Sequence, residues 1–160
     1  MNCTESLMKM KTTIRSAVSE ISISEGLVAS EAMIMLLLSH KDNVAAKEIV
    51  KVSGQNQGNV SAICKRIERA GLMTRVRGSE DERIVMLNLT EEGQNVADRL
   101  EAKLDKLNQL IQDECAEDGI DFRQTMDKMC VAMVRAASVV KKDLIKEMAN
   151  RGAPKRVINE

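Results

Sequence analysis

The sequence predicts a mostly α-helical protein with one small β-hairpin, an α+β fold. Apolar residues recur every three or four positions over most of the 160 residues, which is the period of an amphipathic helix. The period changes to two only between residues 72 and 89, as in paired strands. The chain has one proline and one aromatic residue, Phe122, so aliphatic residues and eleven methionines must fill the core.

Two helices are predicted before residue 41. Thr4 is a candidate N-cap for the first, whose apolar stripe continues at spacings of three and four to Ile21. The second helix, about Ser30 to His40, is apolar nearly all round and is therefore expected to be buried.

Two short helices with a polar break between them follow, Ala45–Val52 and about Gln57–Ala70. The break contains Gly54, the residue type that a tight corner favours where the backbone needs a positive φ. Gly71 is placed to end the second of these helices as a C-cap. The arrangement is typical of a helix-turn-helix.

A β-hairpin and two long helices complete the chain. Residues 72–77 and 84–89 alternate in polarity around a charged turn, which predicts the hairpin. Thr90 is expected to cap a helix that ends near residues 115–119. The last helix runs from about Asp121 to Asn150, and Asp121 with Gln124 resembles a capping box at its start.

The last helix carries almost thirty residues of unbroken three-and-four spacing, more than one small core needs. This pattern predicts a helix–helix seam with a second copy of the chain. The predicted dimer-interface residues are Leu7 of the first helix and Phe122, Met126, Met129, Met133, Val140 and Leu144 of the last.

Charge is distributed unevenly along a chain whose net charge is zero. The segment from Val44 to Leu89 holds eight Lys and Arg against five Asp and Glu, a net charge of +3. A neutral total argues against indiscriminate coating of nucleic acid, and the central segment is the part best suited to face an anion.

The second helix of the helix-turn-helix divides by face. Val60, Ile63, Cys64 and Ile67 share the stripe expected to be buried. The opposite face has small residues near its start, which let a helix enter a major groove, and cations further along, which can meet phosphates. A solvated helix face is the alternative interpretation. The predicted DNA-binding residues of this helix are Asn56, Gln57, Gly58, Asn59, Ser61, Ala62, Lys65, Arg66 and Arg69.

The hairpin adds cations that suit a minor groove, where concentrated negative potential favours arginine. Asp81 can orient the Arg83 guanidinium, since carboxylates match its fork, although an ordinary surface salt bridge is the alternative. The predicted DNA-binding residues of the hairpin are Arg75, Arg77, Ser79, Asp81 and Arg83.

Two segments, Glu68–Leu72 (ERAGL) and Asp81–Gly93 (DERIVMLNLTEEG), resemble the MarR family of bacterial and archaeal regulators. That family has an LEkkGL-like segment, a wing with D-x-R, and V-x-LT-x-x-G leading into a long helix. The spacing matches without gaps from Glu68 to Gly93. The resemblance implies a winged helix-turn-helix with N- and C-terminal dimerisation helices, in a homodimer that binds pseudo-palindromic double-stranded DNA.

The resemblance also assigns roles to particular positions. Arg83 corresponds to the family's minor-groove arginine and Asp81 to the carboxylate that orients it. Ala62 stands where many members have a longer polar residue, and Gln55 replaces the usual small apolar residue of the turn. The groove-reading positions are occupied by Asn56, Gln57, Asn59, Ser61 and Ala62.

The function expected is that of a sequence-specific transcriptional regulator, a repressor released by a small-molecule or oxidant signal. The expected division is a helical dimerisation region, residues 1–25 and 91–160, and a winged helix-turn-helix DNA-binding region, residues 26–90. An effector pocket would be lined by Met and Leu. A winged helix that binds protein without specific DNA binding is the alternative function.

Other classes of function find little support. One histidine, no nucleophile motif and no glycine-rich phosphate loop argue against an enzyme. The cysteines form neither a CxxC pair nor a zinc pattern, so no cofactor or metal is predicted. The family resemblance makes Cys3 the candidate thiol sensor, because some MarR regulators respond to oxidants through a cysteine of the first helix and Cys3 lies just before the predicted one. No apolar run suits a signal peptide or a membrane span, so a cytoplasmic location without a membrane partner is expected.

Overall fold

The structure is a computed structural model that describes residues 2–77 and 85–150, which form six α-helices and three short β-strands. The helices are α1 (Cys3–Ile23), α2 (Ala29–Ser39), α3 (Ala46–Ser53), α4 (Gln57–Arg69), α5 (Glu91–Glu117) and α6 (Phe122–Asn150). The strands are β1 (Val44–Ala45), β2 (Met73–Arg77) and β3 (Val85–Leu89). The predicted fold class, mostly helical with a small hairpin, is confirmed. None of the helices in these ranges is long and apolar enough to cross a membrane.

The three strands form one antiparallel sheet in the order β1–β3–β2. Sequence analysis missed β1, because two residues are too few to show a period of two. Asn43, which precedes β1 with φ +53°, and Asn88 of β3 hold this strand in place. The Asn43 backbone N–H donates to Asn88 Oδ1 (2.6 Å), and Asn88 Nδ2 donates to Asn43 Oδ1 (3.0 Å).

The caps predicted at Thr90 and Asp121 are confirmed, whereas the one predicted at the start of α1 is not. Asn2 Oδ1 accepts from the Glu5 N–H (2.9 Å), and the Asn2 N–H donates to the Glu5 carboxylate (3.0 Å). Thr4 lies inside the helix, so the prediction that Thr4 caps it was wrong. The reciprocal Asn–Glu pair satisfies two backbone N–H groups, whereas a Thr4 cap satisfies one.

The helix-turn-helix corner is confirmed. Gly54 lies between α3 and α4 with φ +65°, and Gly71 follows α4 with φ +75°. A side chain at either position would be strained, since L-residues rarely adopt a positive φ. These two glycines therefore set where α3 and α4 end.

The beginning of α5 is fixed against the loop that follows α4. Thr90 caps the helix by accepting from the Gly93 N–H (3.0 Å), and its hydroxyl donates to the Gly71 carbonyl (2.8 Å). A Cβ on Gly93 would overlap the Leu72 carbonyl oxygen and lie only 2.8 Å from the carbonyl carbon. The LT-x-x-G motif thus combines a cap with a glycine that permits close backbone approach.

The chain separates into two units, Met1–Leu107 and Asn108–Glu160. The first unit contains the buried core, in which α2, α4 and the sheet pack together. α2 is less buried than predicted, because Met33 is 48% exposed. The largest fully buried side chains include Ile34, Met35, Ile49, Ile67, Met73, Leu87 and Leu100.

The second unit contains the end of α5 and all of α6. None of its described side chains, residues 108–147, is buried. The predicted seam residues Phe122, Met126 and Met129 are partly buried, and Met133, Val140 and Leu144 are exposed. Leu7, in the first unit, is partly buried.

Candidate nucleic-acid interface

Helix α4 has one buried and one exposed face. Val60, Ile63, Cys64 and Ile67 are all buried, with exposed fractions between 1% and 5%, which confirms the predicted stripe. The predicted DNA-binding residues lie on the other side of the helix or at its start. Exposed among them are Asn56, Gln57, Gly58, Asn59, Ala62, Lys65, Arg66 and Arg69, and Ser61 is partly buried.

The polar residues at the start of α4 have different tasks. Asn56 is the N-cap, and its Oδ1 accepts from the Asn59 N–H at 2.9 Å. The side-chain oxygen of Asn56 is therefore engaged within the protein. The side chains of Gln57 and Asn59 are exposed, and each amide offers the donor and acceptor that bidentate pairing with adenine requires.

Arg66 holds α4 against the beginning of α2. Its Nε lies 2.6 Å from Glu31 Oε1, and Glu31 is only 12% exposed. The second Glu31 oxygen accepts from the Val28 N–H at 3.1 Å. Sequence analysis missed Glu31, although a glutamate three residues after the cap position of a helix is a known capping signal.

Lys65 and Arg69 are the other cations on the exposed face of α4. Among the residues that the structure describes, neither has a carboxylate within ion-pair distance. Both positive charges are therefore available to a phosphate, in contrast to the charge of Arg66.

The hairpin places Arg75 inward. Its side chain is 23% exposed, and Nη1 lies 3.9 Å from Glu68 Oε2. Val76, one residue further on, is 54% exposed, because successive residues of a strand face opposite ways. The Arg77 side chain, Ser79, Asp81 and Arg83 lie outside the described residues.

A cavity of about 280 Å³ lies between α3, α4 and the sheet. Gln57, Ser61 and Arg75 line it together with Lys47 of α3, a cation that sequence analysis did not include in the interface. Lys47 could have been found in the sequence, because it is a basic residue on the first helix of the predicted helix-turn-helix. The structure thus brings Lys47 into the neighbourhood of the groove-reading residues.

Cys64 also lines this cavity. Burial raises the pKa of its thiol, and the nearby Arg75 charge, a smaller effect, acts in the opposite direction. A raised pKa keeps the thiol protonated and poorly reactive. Cys64, Cys115 and Cys130 are free thiols, and the Cys3 side chain lies outside the described residues.

A helix-turn-helix whose second helix exposes a polar and cationic face, followed by an antiparallel hairpin, defines a winged helix-turn-helix. The family model of the SarA/Rot transcriptional regulators matches residues 16–100, more than half of the chain. The chain belongs to this family of transcriptional regulators.

Two curated relatives are also regulators. The organic hydroperoxide resistance transcriptional regulator of Bacillus subtilis is 37% identical over 59 residues, which cover 37% of this chain and 40% of the relative. MgrA of Staphylococcus aureus is 30% identical over 88 residues, which cover 53% of this chain and 60% of MgrA. The chain thus spans about half the length of the curated relatives that it matches.

Solved structures confirm the fold. MarR superposes with a TM-score of 0.69 at 16% identity, covering 89% of this chain and 95% of MarR. MepR of S. aureus in complex with DNA superposes with a TM-score of 0.71 at 13% identity, covering 87% of this chain and 98% of MepR. The predicted winged helix-turn-helix fold is therefore confirmed, and it is the fold of the MarR and MepR structures.

Proposed function

We propose that this protein is a cytoplasmic homodimer that binds a pseudo-palindromic site in double-stranded DNA and represses transcription until a signal releases it. The observation that carries the proposal is the exposed face of α4, where two amide side chains precede two cations that have no described carboxylate partner. Such a face has no role in the core of the first unit.

The parts of the interface have separate tasks. Gln57, Asn59 and Ser61 read base edges in the major groove, and Lys65 and Arg69 contact phosphates, so sequence preference and affinity come from different residues. In the wing, Arg83 enters the minor groove with Asp81 orienting it, and Arg77 and Ser79 support that contact. Arg75, which turns inward beside Glu68, holds the wing against α4. The MepR complex with DNA supports this use of the fold.

The dimer is formed by the helical regions at both ends of the chain, residues 1–25 and 91–160, and leaves residues 26–90 to contact DNA. The seam of α6 supports this division, because Met133, Val140 and Leu144 expose apolar surface that a second copy would cover. Two copies related by a two-fold axis present two α4 helices to two half-sites.

Selection of bound sequences from random duplex DNA tests the function and its symmetry together. An enriched palindrome is expected. Gln57→Ala or Asn59→Ala should weaken binding to the selected site by about 10- to 100-fold and change binding to random DNA little. Arg83→Ala is expected to lower the affinity for all duplexes by a similar factor. Absence of any enriched sequence would contradict the proposal.

A winged helix that binds protein is the second candidate, and exposed valines favour it. Val52 of α3 is 66% exposed and Val76 of β2 is 54% exposed, and apolar side chains of this kind suit a protein surface. Under this function, Val52→Ser and Val76→Ser would abolish partner binding, while the selection would enrich no duplex. If both variants still bind an enriched palindrome, the DNA-binding function is supported and the protein-binding function is contradicted.

The releasing signal is proposed to be a small molecule, with an oxidant as the alternative. A groove in the first unit has a volume of about 660 Å³, which lies within the range of about 300–1,000 Å³ that is usual for small-molecule sites. An oxidant would require a reactive thiol, and the buried Cys64 is unsuited to that task. Cys3 stays the candidate for oxidant sensing.

A further inference from the structure

Helix α4 is held on its two flanks by ion pairs with different elements. On one flank, Arg66 Nε lies 2.6 Å from Glu31 Oε1 of α2. On the other flank, Glu68 Oε2 lies 3.9 Å from Arg75 Nη1 of β2. Arg66 and Glu68 are two positions apart, which places them about 200° from each other around the helix. The two ion pairs therefore act in opposite directions on the rotation of α4 about its own axis.

The two pairs differ in strength. Arg66 Nε donates a hydrogen bond to Glu31 Oε1, and the Glu31 side chain is only 12% exposed. The separation of 3.9 Å between Glu68 and Arg75 is too long for a hydrogen bond, and Glu68 is more exposed, so solvent screens its charge. The pair with Glu31 is therefore the directional contact, because a charge-assisted hydrogen bond is short and depends on the angle at the donor.

Glu31 is itself fixed in place. Its second carboxylate oxygen accepts from the Val28 N–H at 3.1 Å, which ties the side chain to the first turn of α2. Ile34 and Met35 of the same helix are 0% exposed, so α2 is anchored in the core. A largely buried carboxylate that lost Arg66 would keep an unpaired charge, which is costly. Arg66 is therefore expected to stay with Glu31 when DNA binds.

The rotation of α4 decides where its amide side chains point. Side-chain tips lie about 6 Å from a helix axis, so a rotation of about 10° displaces them by about 1 Å. A displacement of this size breaks a bidentate hydrogen bond to a base edge. A lysine contact with a phosphate tolerates it, because the flexible side chain carries a point charge. Sequence preference is therefore more sensitive to the rotation of α4 than is the affinity for DNA in general.

We propose that Glu31 is a positioning residue for DNA recognition, which acts through Arg66 to set the rotation of α4. The side chains that it aims are those of Gln57 and Asn59. The inference rests on the proposed function, since it concerns the selectivity of the same interface. It changes the role of Arg66 from a predicted DNA contact to a link within the protein, and it gives the beginning of α2 a part in sequence discrimination.

Fluorescence anisotropy titrations with the selected duplex and a scrambled duplex test the role of Glu31. Glu31→Gln keeps an oxygen that can accept from the Val28 N–H but removes the charge that holds Arg66. Affinity for the selected duplex is expected to fall at least fivefold, while affinity for the scrambled duplex changes less than twofold. Loss of a negative charge near DNA would by itself strengthen binding to every duplex, so the expected sign is opposite to that of simple electrostatics.

Glu48→Gln is the matched control. Glu48 is an exposed residue of α3, and it forms no ion pair with another residue in the ranges that the structure describes. The same chemical change at this position should leave the ratio of the two affinities at the wild-type value. Circular dichroism melting curves and titration of the active fraction establish that each variant is folded.

A combined variant tests whether Glu31 acts through the amides. In a protein that already carries Gln57→Ala and Asn59→Ala, Glu31→Gln should lower the affinity for the selected duplex less than twofold further, because no amide side chain remains to be aimed. A full additional fivefold loss would show that Glu31 acts elsewhere.

Three further results would overturn the inference. If Glu31→Gln keeps the wild-type ratio of affinities, the pair does not position α4 for recognition. If Glu31→Gln weakens both duplexes by the same factor, Glu31 has a structural role alone. If Arg66→Ala lowers the magnitude of the salt slope as much as Lys65→Ala does, Arg66 contacts a phosphate in the complex.

These outcomes are distinguishable from failure of the proposed function. A wild type that prefers no duplex would contradict that function, and the positioning role with it. A wild type that selects a palindrome, together with a Glu31→Gln variant that selects it equally well, would uphold the function and contradict the positioning role alone. Loss of selectivity in Glu31→Gln but not in Glu48→Gln would support both.

Discussion

Helices α4 and α6 have the same kind of apolar stripe but differ in what covers it. The stripe of α4 is buried within the first unit, with exposed fractions of 5% or less. On α6, Met133, Val140 and Leu144 are 41–56% exposed. An amphipathic pattern therefore shows that a helix has a partner surface, but it does not show whether that surface belongs to the same chain.

The largest expected effect concerns the uncovered stripe of α6. Val140→Glu should convert the proposed homodimer into monomers or aggregates and lower affinity for a palindromic site at least 100-fold, because a buried unpaired charge is costly. Analytical ultracentrifugation and binding isotherms measure the two effects. Val139→Glu is the matched control, since this exposed valine lies about 100° away around the helix.

Retention of a dimer in Val140→Glu, or a wild type that sediments as a monomer at micromolar concentration, would contradict this assignment. The exposed apolar stripe of α6 would then have to be covered by something other than a second copy of the chain.

The second effect concerns the close approach at the beginning of α5. Gly93→Ala should lower the free energy of unfolding by about 3 kcal/mol, because the new Cβ meets the Leu72 backbone and neither backbone can move without strain. Urea denaturation measures the change. Gly58→Ala is the control, since its Cβ would lie 3.4 Å from Asn56 Oδ1, and equal losses in both variants would refute the explanation.

A third effect concerns the ion pairs that hold α5 within the first unit. Glu25, whose side chain is 9% exposed, bonds to Lys103 Nζ (2.5 Å) and Arg99 Nε (2.9 Å). Glu25→Gln should lower the free energy of unfolding by about 1–2 kcal/mol. Glu101→Gln, which removes an exposed pair with His40, should change it by less than about 0.5 kcal/mol.

The Glu25 contribution should depend on pH. The hydrogen bond from Lys103, then that from Arg99, lowers the pKa of the Glu25 carboxyl below its usual 4.5. A lowered pKa in the folded state stabilises the protein above the unfolded-state pKa, and this contribution is lost as the pH falls through the folded-state pKa. Wild type and Glu25→Gln should therefore differ most at pH 7, and the difference should shrink as the pH falls below 4.5. A difference that does not shrink as the solution is acidified would contradict the assignment.

The smallest expected effect is a difference between Lys65 and Arg66 in the salt dependence of DNA binding. Lys65→Ala should lower the magnitude of the salt slope of DNA binding by about 0.9 for each phosphate that the lysine neutralises. Arg66→Ala should change that slope less and lower thermal stability more, because Arg66 is paired with Glu31. If the two variants give the same slope, Arg66 leaves Glu31 for a phosphate on binding.

The elements of the fold and the exposed face of α4 could be predicted because their signals are local. Periods of 3.6 and 2, capping residues and glycines at positive φ depend on neighbours within a few positions. Asp121 shows both the strength and the limit of such signals. It caps α6 through the Gln124 N–H at 2.9 Å, as predicted, but the Gln124 side chain accepts from Lys128 Nζ (2.8 Å) instead of closing a capping box.

The sequence by itself predicted the six helices and the paired strands β2 and β3 found within residues 2–77 and 85–150, the apolar face of α4, and the family that the chain resembles. Only the tertiary structure decided that Arg66 is held by Glu31, that Arg75 turns inward beside Glu68, and that a two-residue β1 pairs with β3. The physical reason is distance along the chain. Arg66 and Glu31 are 35 residues apart, and Asn43 and Asn88 are 45 apart, so no local pattern records their contact.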